Sequence, residues 1–115
     1  MLRIAIIDDD ASVRNSIAMI LQAHGHTTVS FETAVQFIDC ADAKDFDCLL
    51  VDNNMPQMTG LELHEWLQGH NVHHPKFVLM SGRISDDSAL TLASRGIEFL
   101  SKPFALAKLL QIVNS

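Results

Sequence analysis

Acidic residues close two of the apolar runs in this chain. Asp8, Asp9 and Asp10 follow LRIAII (residues 2–7), and Asp52 follows CLLV (48–51). Two further runs end in groups suited to anions: KFVLM (76–80) is followed by Ser81 and Gly82, and IEFL (97–100) by Ser101, Lys102 and Pro103. If these tips share one edge, three or four carboxylates converge there. Two like charges ~4 Å apart repel by about 4 kcal/mol at an effective dielectric near 20, so cationic charge must sit among them. Lys102 supplies one permanent charge. A hard divalent cation would supply the rest, and an all-oxygen donor set with few protein ligands favours Mg2+.

Whether the tips meet depends on the elements that carry them. Strand-like runs at 2–7, 27–31, 48–51, 76–80 and 97–100 alternate with helical periods. The first helix begins near Ala11, puts Val13, Ile17, Ile20 and Leu21 on one face and ends near Gly25. Thr33 caps a second, which carries Ala34, Phe37 and Ile38, and a third runs from about Leu61 to Gln68. The fourth opens at SDDS, with Ser85 as N-cap and Asp86 and Asp87 at the positive helix end, and Gly96 closes it. After Pro103 a fifth carries Phe104, Leu106, Leu109, Leu110 and Val113. Alternation of this kind, with three strands apolar nearly throughout, predicts an α/β doubly wound fold: a parallel sheet covered on both faces. Chemistry in such sheets gathers at the carboxyl ends of the strands, where the acidic tips stand.

Length and charge narrow the function classes. At 115 residues the chain is expected to be one domain, 1–115. No apolar run approaches the roughly 20 residues needed to span a bilayer, and the N-terminus lacks a signal-peptide layout, so no membrane role and a cytoplasmic location are expected. A net charge of −6 without a Lys/Arg cluster argues against direct nucleic-acid binding by this domain. Cys40 and Cys48 have no metal-ligand spacing and read as small core hydrophobes. His73 and His74, before Pro75, read as part of a solvated polar loop rather than a metal or relay site.

Four motifs in order, each at a strand end, carry a resemblance: DD after the first strand, D-x-x-M-P-x-x-x-G after the third, a small hydroxyl residue plus Gly after the fourth, and KPF after the fifth. Together they resemble a response-regulator receiver domain over essentially the whole chain. The resemblance implies a flavodoxin-like (βα)5 three-layer sandwich, a five-stranded parallel sheet of order 2-1-3-4-5, and a phosphoacceptor aspartate served by a sensor histidine kinase. Asp52 aligns with that acceptor. By the same carry-over Asp9 and Asp52 would ligate Mg2+ directly, Asp8 mainly through water, and Asn54 through its backbone carbonyl. Lys102 would pair with the carboxylate and then the phosphoryl oxygens. Ser81 and Phe99 would form the switch that reshapes the face of the fourth helix, fifth strand and fifth helix, and the Lys102–Pro103 bond would be cis. Arg83 and Asn54 lie where side chains in the family influence phosphoryl lifetime. The segment GIEFLSKPFALAKLLQIVN lacks the Asp-Asp-Tyr and Glu-Leu-x-x-Arg features of OmpR-like receivers and is more similar to FixJ-like ones.

Other readings compete. Asp8-x-Asp10 after a strand mimics a haloacid-dehalogenase-like phosphatase with Asp8 as nucleophile, and a non-phosphorylated pseudo-receiver would keep the same fold. Ser81 could be a strand-end cap, Phe99 a core aromatic, and Met55 and Met58 simple loop packing. Asp10 reads as a helix-start residue rather than a further metal ligand. Asn53 stands where an aliphatic residue is usual, and its type has no account at this level. The sequence ends inside a helix-like segment, so a longer regulator with a C-terminal output domain beyond Ser115 is expected; the resemblance implies a transcriptional output and leaves open a phosphorylation-dependent homodimer.

Overall fold

A computed structural model describes residues 2–40, 42–70, 76–82 and 86–114, with side chains omitted for 86–89. His73, His74, Arg83 and the Ser85 cap lie outside the described residues. Five strands, β1 (Arg3–Ile7), β2 (Thr27–Phe31), β3 (Cys48–Asp52), β4 (Lys76–Ser81) and β5 (Glu98–Ser101), alternate with α1 (Ala11–Ala23), α2 (Ala34–Cys40), α3 (Gly60–Gly69), α4 (Asp86–Ser94) and α5 (Leu106–Asn114). The strands form one parallel sheet in the order β2-β1-β3-β4-β5. This is the flavodoxin-like (βα)5 fold.

Strand pleating divides the core in two. Ile4 and Ile6 of β1, Cys48 and Leu50 of β3, Val78 and Met80 of β4 and Leu100 of β5 pack with Ile17 and Leu21 of α1 and Leu109 and Val113 of α5. The alternate residues, among them Ala5, Ile7, Leu49, Val51, Phe77 and Leu79, pack with α2, α3 and α4 through Phe37, Leu63, Leu67 and Leu92. A two-residue side-chain period leaves each strand apolar on both faces, which is why β3 and β4 read as continuous hydrophobic runs.

Local chemistry sets the helix ends. Asp10 accepts hydrogen bonds from the Ser12 and Val13 amides and caps α1. Gly25, two residues past α1, has φ +87°, a left-handed conformation suited to glycine. Thr33 accepts from the Gln36 amide at the start of α2, and Thr59 with Glu62 forms a reciprocal capping box on α3. Pro103 is followed by two further non-helical residues, so Phe104 precedes α5 rather than belonging to it. It packs against the α1/α5 core cluster from the connecting segment.

Two observations here have direct tests. Cys48 is buried, and desolvation pushes its thiol up to about 12, whereas Cys40 is exposed, so the reading of both as core residues is corrected for Cys40. Cys40 ends the short α2 with its side chain on the outer face. A thiol-specific disulfide reagent at pH 8 should titrate one cysteine in the folded protein and two after denaturation. Gly60 packs so closely on β3 that a Cβ there would lie 2.5 Å from Leu79 Cδ1, 3.0 Å from the Asp52 carbonyl oxygen and 3.2 Å from Val51 Cγ1. Gly60→Ala should therefore destabilise the domain by about 1–3 kcal/mol, read as a lower urea midpoint with an unchanged slope.

Candidate phosphoacceptor and metal site

Counting the pleat past the strand ends explains why three charged residues meet. Asp8 continues the Ile4–Ile6 parity of β1, Asp52 the Cys48–Leu50 parity of β3, and Lys102 the Leu100 parity of β5, so all three leave the sheet on the α1/α5 side. Lys102 Nζ lies 2.8 Å from Asp8 Oδ2 and 3.2 Å from Asp52 Oδ1. Asp8 is 0% exposed and Asp52 5%. Asp9, on the surface beside them, completes a group whose carboxylate oxygens lie within 4.8 Å of one another.

The predicted site residues among the described ones fall as follows. Asp8, Asp9, Asp52 and Lys102 come together. Asp10 is engaged in capping α1 and stands outside the acidic group. Ser81 ends β4, buried, opposite Ser101 of β5, and its carbonyl accepts from the Lys102 N–H at 2.8 Å. Phe99 pairs with Leu79 across β4 and β5 and is half-buried against the α2/α3/α4 core, on the sheet face opposite the acidic cluster. Asn54 is exposed, and its backbone amide acts on the Asp52 carboxylate to lower its pKa. The Lys102–Pro103 peptide is cis.

Sequence reading missed Arg14. Its Nη1 donates to the Asp8 carbonyl at 2.6 Å, and its side chain is only 14% exposed. Asp8 is thus held at its N–H by the Phe31 carbonyl, at its carbonyl by Arg14, and at Oδ1 by the Asp10 amide. The available signal was positional: Arg14 lies one helical turn after the Asp10 cap, and helical side chains lean back toward the N-terminus.

The electrostatics are unbalanced. Burial raises the Asp52 pKa above its ordinary 3.8, and the Asp8 charge raises it further; Lys102 and the Asn54 amide oppose this without cancelling it. Burial alone would depress the Lys102 ammonium, but the hydrogen bond and charge of Asp8, joined by Asp52, outweigh it and raise the pKa. Three carboxylates against one lysine make a hard, all-oxygen, net-negative donor set, which suits a divalent cation.

The family profile described as "Response regulator receiver domain" matches residues 4–114. This chain belongs to the response-regulator receiver family. The transcriptional regulatory protein FixJ of Azorhizobium caulinodans is 31% identical over 115 residues, which are 99% of this chain and 54% of that protein. Response regulator MprA of Mycobacterium tuberculosis is 32% identical over 108 residues, 94% of this chain and 47% of MprA. The receiver chain therefore spans about half the length of these curated relatives. Among solved structures, the Vibrio cholerae chemotaxis protein CheY4 superposes with a TM-score of 0.85 at 23% identity, covering 99% of this chain and 97% of that one, a likeness of fold. The response regulator StyR gives 0.81 at 29% identity over 97% of this chain and 57% of its own. No helix among the described residues is long and apolar enough to cross a membrane.

The raised Asp52 pKa has a definite sign. The folded receiver keeps a proton on Asp52 at pH values where the unfolded chain has released it, so this group's contribution to stability falls as pH rises from 3.8 through the folded value. At pH 7, without metal, Asp52→Asn should raise the unfolding midpoint, by ~4 °C if the relief is about 1 kcal/mol. The gain should shrink as the pH is lowered toward 4, checked by thermal unfolding across that range.

Proposed function

We propose that this receiver is loaded by phosphoryl transfer from a histidine kinase phosphohistidine to Asp52. The observation that carries the reading is the Lys102 ammonium bound to two buried carboxylates, Asp8 and Asp52, which are held at fixed strand ends. An Asp52 oxygen attacks phosphorus, the P–N bond to the donor imidazole breaks, and an acyl phosphate forms on Asp52. Phosphoryl transfer asks little covalent work of the protein beyond alignment and neutralisation of charge. Asp8, Asp9, Asp52 and the Asn54 carbonyl would hold Mg2+, which supplies the positive charge that offsets the oxygens of the transferring group. Lys102 passes from its carboxylate partners to a phosphoryl oxygen. Hydrolysis of the acyl phosphate returns the resting state, so the chemistry stays confined to the protein's own aspartate.

The new group brings about −1.5 to −2 of charge and three acceptor oxygens. Ser81, which ends the neighbouring strand β4, would donate to that group. Its movement inward is followed by Phe99 through packing, since the chain has no tyrosine to add a phenolic hydrogen bond. The face built from α4, β5 and α5 would then signal to the C-terminal output domain of a transcriptional regulator of the FixJ kind, with homodimerisation as one outlet.

Asp8 is a poor alternative nucleophile. It is fully buried, with Oδ1 accepting from the Asp10 amide and Oδ2 from Lys102, which argues against the haloacid-dehalogenase-like reading. Acetyl phosphate with Mg2+ should add one phosphoryl group to the wild type and none to Asp52→Asn, read by intact-mass spectrometry. Absence of modification on wild type would favour a pseudo-receiver. Saturating Mg2+ alone should raise the unfolding midpoint, since a ligand at 100 times its Kd adds about 2.7 kcal/mol.

A further inference from the structure

Residues 53–59 carry the chain from Asp52 to α3, and Asn53 is fastened on three sides. Its N–H donates to the Met80 carbonyl of β4 at 2.9 Å, and its carbonyl accepts from the Gly60 N–H at 3.4 Å. Its side-chain Oδ1 accepts from the Leu61 N–H at 3.3 Å. The first amides of an α-helix have no partner within the helix. In α3 the first three are all satisfied: Gly60 and Leu61 by Asn53, and Glu62 by Thr59 Oγ1 at 3.1 Å. Two of the three acceptors therefore sit on the residue bonded directly to Asp52.

That linkage reaches the acceptor through one peptide. The amide after Asn53 belongs to Asn54 and lies close enough to the Asp52 carboxylate to lower its pKa, so a swing of the 53–54 peptide would change the field at the acceptor. An aliphatic side chain at 53 would deprive the Leu61 amide of its acceptor and leave the Thr59 hydroxyl as the side-chain cap of α3. We infer that Asn53 is a positioning residue: by anchoring the N-terminus of α3 to the peptide beside Asp52, its carboxamide fixes the direction of the acceptor carboxylate. The inference rests on Asp52 being the phosphoacceptor.

The test compares Asn53→Leu, of similar size without the acceptor, with Asn53→Asp, which keeps an acceptor oxygen. Two quantities are read at a temperature where circular dichroism finds each protein fully folded: hydrogen exchange of the Leu61 amide, and the rate of Asp52 phosphorylation by acetyl phosphate at saturating Mg2+. Asn53→Leu should lose Leu61 protection and phosphorylate about fivefold more slowly, the equivalent of roughly 1 kcal/mol in activation free energy. Asn53→Asp should retain the protection and recover the rate. If the leucine variant does not fold, Asn53→Ala removes the same acceptor without bulk. A leucine or alanine variant that melts earlier yet phosphorylates at the wild-type rate overturns the inference, because the cap is then only structural. An aspartate variant that protects Leu61 but stays slow overturns it too. Failure of the wild type to be modified at Asp52 would instead sink the functional reading.

Discussion

One ammonium group between two buried carboxylates governs this molecule. Lys102 reaches from the end of the edge strand β5 to Asp8 and Asp52 at the ends of the adjacent interior strands β1 and β3. A buried carboxylate without a partner is expensive, and removing one member of a buried pair commonly costs more than the pair contributes. Here the compensation is partial: the pKa of Asp52 is raised despite the lysine at 3.2 Å. Stability has been given up at the spot where negative charge must later be handled, a pattern common at reactive sites.

The scaffold makes that deficit tolerable by rigidity. Asp8 is bonded through its N–H, carbonyl and side chain to three different partners, one of them Arg14. Asp52 ends a strand buried at every position, and the close approach of Gly60 brings α3 against its backbone. Asp9 remains at the surface, so the cluster has a closed floor and an open mouth. The apolar layers on either face of the sheet therefore serve the chemistry by holding strand tips still.

Much of this was legible in the sequence because strand ends, acidic tips and caps are local signals. The five strands, Asp10 at the start of α1, Thr33 at the start of α2 and the convergence of the acidic tips with Lys102 follow from residue type and spacing, while the choice of Asp9 beside Asp8 and Asp52 came from the resemblance. What escaped depends on tertiary geometry. Arg14 looks like any polar position on α1 until the helix is docked and its guanidinium points back at Asp8. Asn53 had no evident reason to be polar, because the amide it satisfies belongs to Leu61, eight residues on. Cys40 and Cys48 look alike in composition, yet one ends a surface helix and the other starts a central strand.

The shared parity of Asp8, Asp52 and Lys102 also limits how this architecture can vary. Adding or deleting one residue within β1, β3 or β5 would turn every later side chain of that strand to the other face. A charged tip would then enter the α2/α3/α4 layer, and its apolar neighbours would exchange layers. Length changes should be tolerated instead in the connections at the amino ends of the strands, such as that between α2 and β3. There, indels alter the path of the chain without flipping the strand that carries a charge, so length can vary at least cost at the end of the sheet remote from Asp8, Asp52 and Lys102.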